Sequence, residues 1–247
     1  MIISLINHST SLSDEEVQCV IRAINRQVKE DFEPYWSFGA NLRLEGMIGK
    51  RADIKSLSGM RGDAVLYLND KTNIKDALGY HDKNNRGIPY GFIFLDLCKK
   101  LGESWTVTLS HETMELIADA QSNLLVQGPH PDNPEHEVFH WFEMCDAVQS
   151  ESYKIDGIEV SNFVLPSYFT PGEQAGARND FLGRLDADRK GLASFGVKPG
   201  GYIGFYDPKK REHTTWSPPE DAVAKQRLIA KTEARSGRGY LRRNAIA

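Results

Sequence analysis

Several features that would assign a protein to a class are missing from this chain of 247 residues. Its three cysteines, Cys19, Cys98 and Cys145, are odd in number and far apart, which excludes a disulfide framework. No apolar run reaches membrane-spanning length, and the opening residues Met1–Asn7 lack the basic start and long apolar stretch of a signal peptide. We therefore expect a cytoplasmic protein with reduced thiols and no membrane partner.

Strong charge of either sign is also missing. The net charge of −4 gives no electrostatic reason to expect binding to nucleic acid or to an anionic membrane. The basic stretch Arg235–Arg243 is typical of a solvated tail or a docking segment. Repeats and low-complexity tracts are absent, and the apolar and charged fractions are those of a soluble globular protein with a real core.

The first 120 residues contain alternating signals for strands and helices. Ser13 and Glu16 form the pattern of a capping box, ahead of a helix that we expect to end before Pro34. A second helix is predicted from Ser104 to about Ala120, because apolar residues recur there at helical intervals. Short apolar or alternating runs predict strands at Ile2–Asn7, Leu42–Ile48, Ala64–Leu68 and Tyr90–Leu95. This order predicts an α/β (α+β) domain with one mixed sheet and a backing helix.

After Gln121 the signals are those of β structure. Gly128–Pro134 predicts a loop, and the aromatic and apolar residues of Val138–Val148 favour a strand. Two hairpins are predicted, the first at Tyr153–Val160 and the second formed by Gly200–Tyr206 with Glu212–Trp216. A final surface helix is predicted at Pro219–Ala234. We expect residues 1–170 to form the α/β domain, with 171–247 as a β-rich C-terminal extension packed on it.

The most informative pattern is a pair of His-Glu dipeptides, His111-Glu112 and His136-Glu137. In zinc hydrolases, a His-Glu pair followed by another ligand four residues after the histidine holds the metal on one face of a helix. The glutamate between the two ligands then acts as general base on the metal-bound water. A bare His-Glu dipeptide occurs often by chance, so the ligand four residues later carries the information.

The second copy, His136-Glu-Val-Phe-His140, matches this spacing formally. Asn133-Pro134 before it is a possible helix start, and Asp146 follows at the distance of a third ligand. However, position 143 holds Glu where such sites usually have the glycine that turns the chain back. The composition also favours a strand, on which His136 and His140 would lie roughly 13 Å apart, too far for one metal. We interpret these histidines as ordinary surface residues.

The first copy, His111-Glu-Thr-Met-Glu115, has a glutamate where the zinc motif has its second histidine. A carboxylate is an acceptable zinc ligand, so His111 and Glu115 are candidate metal ligands with Glu112 beside them as base. Asp119, one turn further on, is placed to join the site or to hold His111 from outside it. The alternative is an amphipathic helix whose exposed face carries Glu112, Glu115 and Asp119.

Two resemblances favour the first copy. The order of elements resembles that of zincin metallopeptidases, in which the edge strand, here Tyr90–Leu95, pairs with an extended peptide and the motif helix lies beneath the cleft. The sequence motifs of the chain also resemble those of a family of bacterial and phage proteins of unassigned function, over roughly residues 1–170. The matching segments are Leu78–His81, Gly87–Tyr90, Ser110–Asp119, Asn123–Pro131, Glu143–Asp146 and Ser161–Phe169. The family's Asp-Pro after the helix is Asp119-Ala120 here, and His136–His140 falls in a variable stretch.

The zincin resemblance implies a third ligand from a segment after the motif helix, with an acidic residue nearby that orients the ligating histidine. Glu143 and Asp146 lie where this pair is expected; otherwise Glu143 makes a buried ion pair and Asp146 caps a turn. We expect Asp146 or Asp119 to hydrogen-bond the non-ligating ring nitrogen of His111. His81 is a candidate to bind substrate or stabilise an oxyanion, the alternative being a loop histidine.

These patterns and resemblances predict a zinc-dependent hydrolase that acts on a peptide or protein. Zinc would be held by His111, Glu115 and Glu143, with Glu112 as general base. Two carboxylate ligands make the metal a weaker Lewis acid than two histidines and one glutamate would, which predicts slow turnover or a metal other than zinc. The alternative is a binding or structural protein, such as a phage component, that kept the fold without catalysis.

Overall fold

The structure, a computed structural model, describes residues 1–45, 62–71, 79–84, 86–172 and 177–218. The chain divides into two compact units. The first unit comprises Met1–Ser122 and Tyr153–Val160, and the second comprises Asn123–Ser152 and Ser161–Ala247. This division differs from the boundary predicted near residue 170, because the first unit ends earlier and takes one later segment of the chain.

The first unit is built on a five-stranded mixed sheet with the order β2-β1-β3-β5-β4. Its strands are β1 (Ile2–Asn7), β2 (Asn41–Glu45), β3 (Ala64–Asn69), β4 (Gly79–Lys83) and β5 (Pro89–Phe94). Four of them run parallel, and β4 pairs antiparallel with β5. The central strands β1 and β3 are apolar and buried on both faces, as is usual in parallel sheets.

The edge of this sheet differs from the sequence prediction. Tyr90–Leu95 is the predicted edge strand, whereas the structure places most of that segment inside the sheet as β5, between β3 and β4. Among the described strands, β4 forms this edge. Its sequence, Gly-Tyr-His-Asp-Lys, is mostly polar, and its conformation depends on pairing with β5, so the short-range pattern gives no strand signal there.

Helix α1 (Asp14–Arg26) begins at the predicted capping box. The backbone N–H of Glu16 donates to Ser13 Oγ (3.2 Å), and the N–H of Ser13 donates to Glu16 Oε2 (2.9 Å). The helical chain does not end before Pro34 as predicted. It continues through a π-helical turn (Gln27–Phe32) into α2 (Glu33–Trp36), where Pro34 lies in the first turn and its missing N–H is harmless.

Two helices follow the sheet, α3 (Leu95–Leu101) and α4 (Trp105–Ala118). Gly102 ends α3 with φ 70°, a left-handed conformation that glycine adopts without strain. Helix α4 begins after Ser104, as predicted, and the N–H of Thr108 donates to the Ser104 carbonyl (3.1 Å). It packs against β4 and β5. The fold thereby places the first His-Glu motif on a helix that lies against the edge strand.

The remaining strands are β6 (Leu125–His130), β7 (Asn133–Trp141), β8 (Ser152–Ile155), β9 (Ile158–Ser161), β10 (Ile203–Asp207) and β11 (Glu212–Trp216). Four of these strands form the antiparallel sheet of the second unit, in the order β11-β10-β7-β6. Strands β8 and β9 form a separate hairpin, of which Tyr153–Val160 belong to the first unit. The predicted turn is confirmed, with φ values of 50° at Asp156 and 83° at Gly157.

Other predictions after residue 121 have mixed outcomes. The hairpin of Gly200–Tyr206 with Glu212–Trp216 is confirmed as β10 and β11. The loop predicted at Gly128–Pro134 is largely wrong, because β6 and β7 pair through this stretch with an irregularity between Pro129 and His130. Residues 46–48 of one predicted strand and the predicted helix Pro219–Ala234 lie outside the described residues.

The mixed α+β class predicted from the sequence is confirmed by these helices and sheets. Within the described ranges, none of the helices combines the length and the apolar character needed to cross a membrane.

Candidate metal centre

Helix α4 is buried along almost its whole length, so its acidic residues lie inside the first unit. Glu112 and Glu115 expose 3% and 2% of their surface, and His111 exposes 7%. Asp119, which follows the helix, exposes 2%. This burial rules out the amphipathic alternative, in which the three acidic residues form an exposed face. Carboxylates are rarely buried to this extent unless they are paired or bind a metal.

His111 and Glu115 face each other across one turn of α4. Nε2 of His111 lies 3.1 Å from Oε1 of Glu115. Atoms that bind zinc tetrahedrally at 2.0–2.1 Å are separated by about 3.3 Å from one another. The helix therefore holds these two donor atoms at a spacing that fits a single metal ion.

His81, on β4, faces the same part of the helix. Its Nδ1 lies 3.2 Å from Oε2 of Glu112 and 3.7 Å from Oε2 of Glu115. The carboxylate of Glu115 thus has one oxygen directed toward His111 and the other toward His81. His81 is a buried strand residue with a side chain that is 2% exposed, which rules out the loop histidine of the alternative interpretation.

Gly79 leaves the space that Glu112 occupies. It lies two residues before His81 on β4, so both positions are on the same face of the strand. A Cβ atom at position 79 would lie 3.0 Å from both Cγ and Oε1 of Glu112, and 2.9 Å from the carbonyl oxygen of Phe92. Two residues of β4 therefore surround Glu112: Gly79 leaves space for its side chain, and His81 makes a polar contact with its carboxylate.

The charge balance of this cluster favours a cation. Two ionised glutamates beside two neutral imidazoles would place two negative charges in the interior, which is unfavourable. One divalent cation compensates both charges, as would protonation of both imidazoles. The nearby thiol of Cys98 contributes no further negative charge. Burial raises its pKa to about 11, and the charge of Glu112 adds to the rise, so the thiol stays protonated.

Asp119 lies at the end of α4, and its predicted role beside His111 stays a prediction. Its backbone N–H donates to the carbonyl of Glu115 (2.8 Å), and it ends α4 as the C-terminal cap residue. His111 lies two helical turns earlier, a separation of about 12 Å along the axis.

Glu143 and Asp146, the residues implied by the resemblance, belong to the second unit. Glu143 follows β7 and is 8% exposed. Asp146 is 2% exposed and begins a short 3-10 turn (Asp146–Val148), where the hydroxyl of Tyr202 donates to its Oδ1 (2.6 Å). Their roles as third ligand and as partner of His111 stay predictions.

The second His-Glu copy lies on strand β7, as its composition predicts. His136 Nε2 donates to Asp207 Oδ1 (3.0 Å), whereas His140 Nε2 donates to the carbonyl oxygen of Pro129 (2.8 Å). Within the described part of the chain, neither histidine belongs to a group of side chains placed to bind a metal. The interpretation as surface residues is wrong for His140, which is only 2% exposed.

Sequence reasoning missed the part that β4 plays in this centre. Gly79 was not a candidate residue, and no contact was expected between His81 and Glu112. One signal was present: Gly79 and His81 are two residues apart, the spacing that puts side chains on one face of a strand. That spacing is informative only when residues 79–83 are known to form a strand.

Comparison of the chain with protein-family models, with curated proteins and with solved structures finds no match. The resemblances to zincins and to the bacterial and phage family therefore rest on the sequence motifs and the order of elements.

Proposed function

We propose that this protein is a metal-dependent hydrolase, with zinc as the expected metal and a peptide or protein as the expected substrate. One observation carries the proposal. Two histidines and two glutamates (His81, His111, Glu112 and Glu115) lie buried together in the first unit, with nitrogen–oxygen separations of 3.1–3.7 Å. A divalent cation is the simplest way to stabilise such a group in the interior.

Each residue of the cluster has a proposed role. His111 and Glu115 would hold the metal, which would supply the Lewis acidity that lowers the pKa of a water toward neutral pH. Glu112 takes a proton from the attacking water while the water oxygen bonds to the substrate carbonyl carbon. Glu112 then returns the proton to the nitrogen of the leaving amine as the carbon–nitrogen bond breaks. His81 keeps the Glu112 carboxylate oriented by donating a hydrogen bond to it.

The position of β4 supports a peptide as substrate. Among the described strands it is an edge of the sheet, and it carries His81 beside the proposed base. An extended peptide can add to a sheet edge as one further strand, held by its main-chain groups. A peptide bound in this way would run alongside the residues that surround Glu112.

Metal content tests the proposal. We expect purified protein to contain about one zinc ion per chain by inductively coupled plasma mass spectrometry. EDTA-treated protein should regain the same amount when zinc is added. His111→Ala and Glu115→Gln should lose the metal because each removes a ligand, whereas His136→Ala, from the second His-Glu copy, should keep it. Circular dichroism controls for loss of fold in each variant.

The same measurement separates the proposal from its alternative. A folded parent protein that takes up neither zinc nor manganese nor cobalt would contradict a metal-dependent hydrolase. That result would favour a binding or structural protein without catalysis. Glu143→Gln, assayed in parallel, tests the predicted third ligand: unchanged metal content and affinity would remove Glu143 from the ligand set.

A cytoplasmic location belongs to this proposal. Cys19, Cys98 and Cys145 all lie in described parts of the chain, and none of them forms a disulfide. Reduced cysteines are usual in the cytoplasm, where thiol-based buffers keep them so.

A further inference from the structure

A partly buried chain of hydrogen bonds links the motif helix to two other elements of the first unit. The hydroxyl of Ser110 on α4 donates to Gln27 Oε1 (2.6 Å). Gln27 Nε2 donates to the hydroxyl of Tyr153 (3.1 Å), which donates in turn to Asp31 Oδ2 (2.7 Å). Tyr153 lies on β8, whereas Gln27 and Asp31 both belong to the π-helical turn. Three elements thus meet at one side chain.

Gln27 is that side chain. It has no exposed surface, and its amide is used on both sides, with the oxygen toward α4 and the nitrogen toward Tyr153. A buried amide is strongly destabilising when its oxygen or nitrogen lacks a partner, so these two hydrogen bonds fix its conformation. Gln27 was not a candidate in the sequence analysis, since a lone glutamine in a helix carries no signal.

The π-helical turn determines where Gln27 points. The N–H of Glu33 donates to the carbonyl of Val28, five residues back, which marks a turn wider than that of an α-helix. In this wider turn, Gln27 and Asp31 both reach the hydroxyl of Tyr153. Single π-helical turns within helices are frequent at functional sites. The irregularity between α1 and α2 is therefore part of what holds α4.

Ser110 immediately precedes His111, so a contact that fixes Ser110 also fixes the direction of the proposed ligands. Side chains of successive helical residues are about 100° apart around the axis, and His111 and Glu115 share one face. A rotation of α4 by about 10° would move donor atoms at a radius of about 6 Å by about 1 Å. Functional sites need their groups held within about 0.5 Å.

We propose that Gln27 is a positioning residue for the metal centre. Through Ser110 it fixes the rotation of α4, and thereby the position of His111 and Glu115 relative to groups on other elements, such as His81 on β4, whose Nδ1 lies 3.7 Å from Glu115 Oε2. The inference rests on the proposed metal site and adds to it the element that keeps the site in shape.

Zinc titration of matched variants tests this role. Gln27→Met keeps the length of the side chain and removes the amide, while Ser110→Ala removes the hydroxyl. Each should lower the affinity for Zn²⁺ about tenfold, the lower end of the effect of groups that orient ligands. The double variant should bind Zn²⁺ as tightly as the single variant that has the lower affinity, because both changes break the same hydrogen bond. The visible absorption of bound Co²⁺ should also change in both, since it reports ligand geometry.

Thr113→Val is the control. Thr113 is as buried as Ser110 and lies on the same helix, but its hydroxyl donates to Leu109 within α4 (2.7 Å). Its zinc affinity should stay within about twofold of the parent value.

Three results would overturn the positioning role. Parent-like zinc affinity and Co²⁺ absorption in Gln27→Met and Ser110→Ala would refute it while leaving the metal site intact. A tenfold loss of zinc affinity in Thr113→Val would show that any substitution of a buried residue in α4 weakens zinc binding. A parent protein that binds no zinc would refute the metal site and this inference together. If Gln27→Met does not fold by circular dichroism, the smaller change, Ser110→Ala, decides.

Discussion

The two His-Glu segments put the same spacing, a histidine and the residue four positions later, on two different backbones. On helix α4, His111 and Glu115 are one turn apart, and their nearest donor atoms approach to 3.1 Å. On strand β7, His136 and His140 are about 13 Å apart, because an extended chain rises about 3.3 Å per residue. The segment that matches the zinc motif more closely thus lies on a strand, where its two histidines are too far apart to bind one metal ion. The spacing of a motif has chemical meaning only together with its secondary structure.

The surroundings of the buried histidines differ as well. His140 donates to a backbone carbonyl, and burial lowers its pKa to about 4, with the charge of His130 adding to the effect and the Pro129 hydrogen bond opposing it. A neutral imidazole bonded to a carbonyl needs no opposite charge beside it. His81 and His111 face carboxylates instead. The partner of a buried histidine, more than its burial, therefore distinguishes a candidate site from the core.

The largest effect is expected from the same substitution in the two copies. Glu112→Gln should lower the rate of hydrolysis of an unfolded protein substrate at least about 100-fold, because the general base is lost, with zinc content unchanged. Glu137→Gln should change neither quantity, since Glu137 is an exposed residue of β7 bonded to Gln127. Initial rates and zinc per chain are the readouts. Equal rates for Glu112→Gln and the parent would remove Glu112 from the mechanism.

An intermediate effect is expected from His140, through the dependence of stability on pH. Its folded pKa of about 4 lies below the ordinary value near 6.5, so the unfolded chain binds the extra proton first as the pH falls. The contribution of neutral His140 to the free energy of unfolding is fully present above about pH 6.5. It is lost as the pH falls toward 4, by up to about 3 kcal/mol.

Urea unfolding of the parent and of His140→Gln at pH 7.5, 5.5 and 4.5 measures this contribution. Glutamine keeps a donor for the Pro129 carbonyl and does not titrate. The free energy of unfolding should therefore fall less steeply with pH in the variant. Parallel curves for the two proteins would show that His140 is not the group responsible.

The smallest effect is expected from the pair of His136 and Asp207. Hydrogen bonds from His136 and from the N–H groups of Lys209 and Lys210 outweigh burial, which acts in the opposite direction, and lower the pKa of Asp207. Asp207→Asn keeps an acceptor oxygen, so it should lower the free energy of unfolding by only about 1 kcal/mol. Zinc content should be that of the parent. A loss of zinc in this variant would contradict the conclusion that only the first His-Glu copy takes part in metal binding.

Elements whose ends are fixed by nearby residues could be predicted from the sequence. Ser13 and Glu16 are three residues apart and cap each other, and Asp156-Gly157 forms the turn of its own hairpin. Three residues of the candidate centre, His111, Glu112 and Glu115, were accessible for the same reason, since one helix carries them.

Elements fixed by distant partners could not be predicted in this way. Gly128–Pro134 has the composition of a loop, yet β6 and β7 pair through it because the rest of both strands sets the register. His81 reaches Glu112 only because β4 pairs with β5 and α4 packs against both strands. Sequence spacing does not encode such a long-range contact.

The absence of a side chain at Gly79 makes one position a marker for the whole centre. Any other residue there would overlap with Glu112 unless the glutamate or the strand moved. Related chains under selection for this arrangement should therefore keep glycine at position 79 together with glutamate at position 112. If the glutamate is lost, the close approach of the Phe92 carbonyl oxygen to position 79 remains, so the restriction on that position should relax only in part.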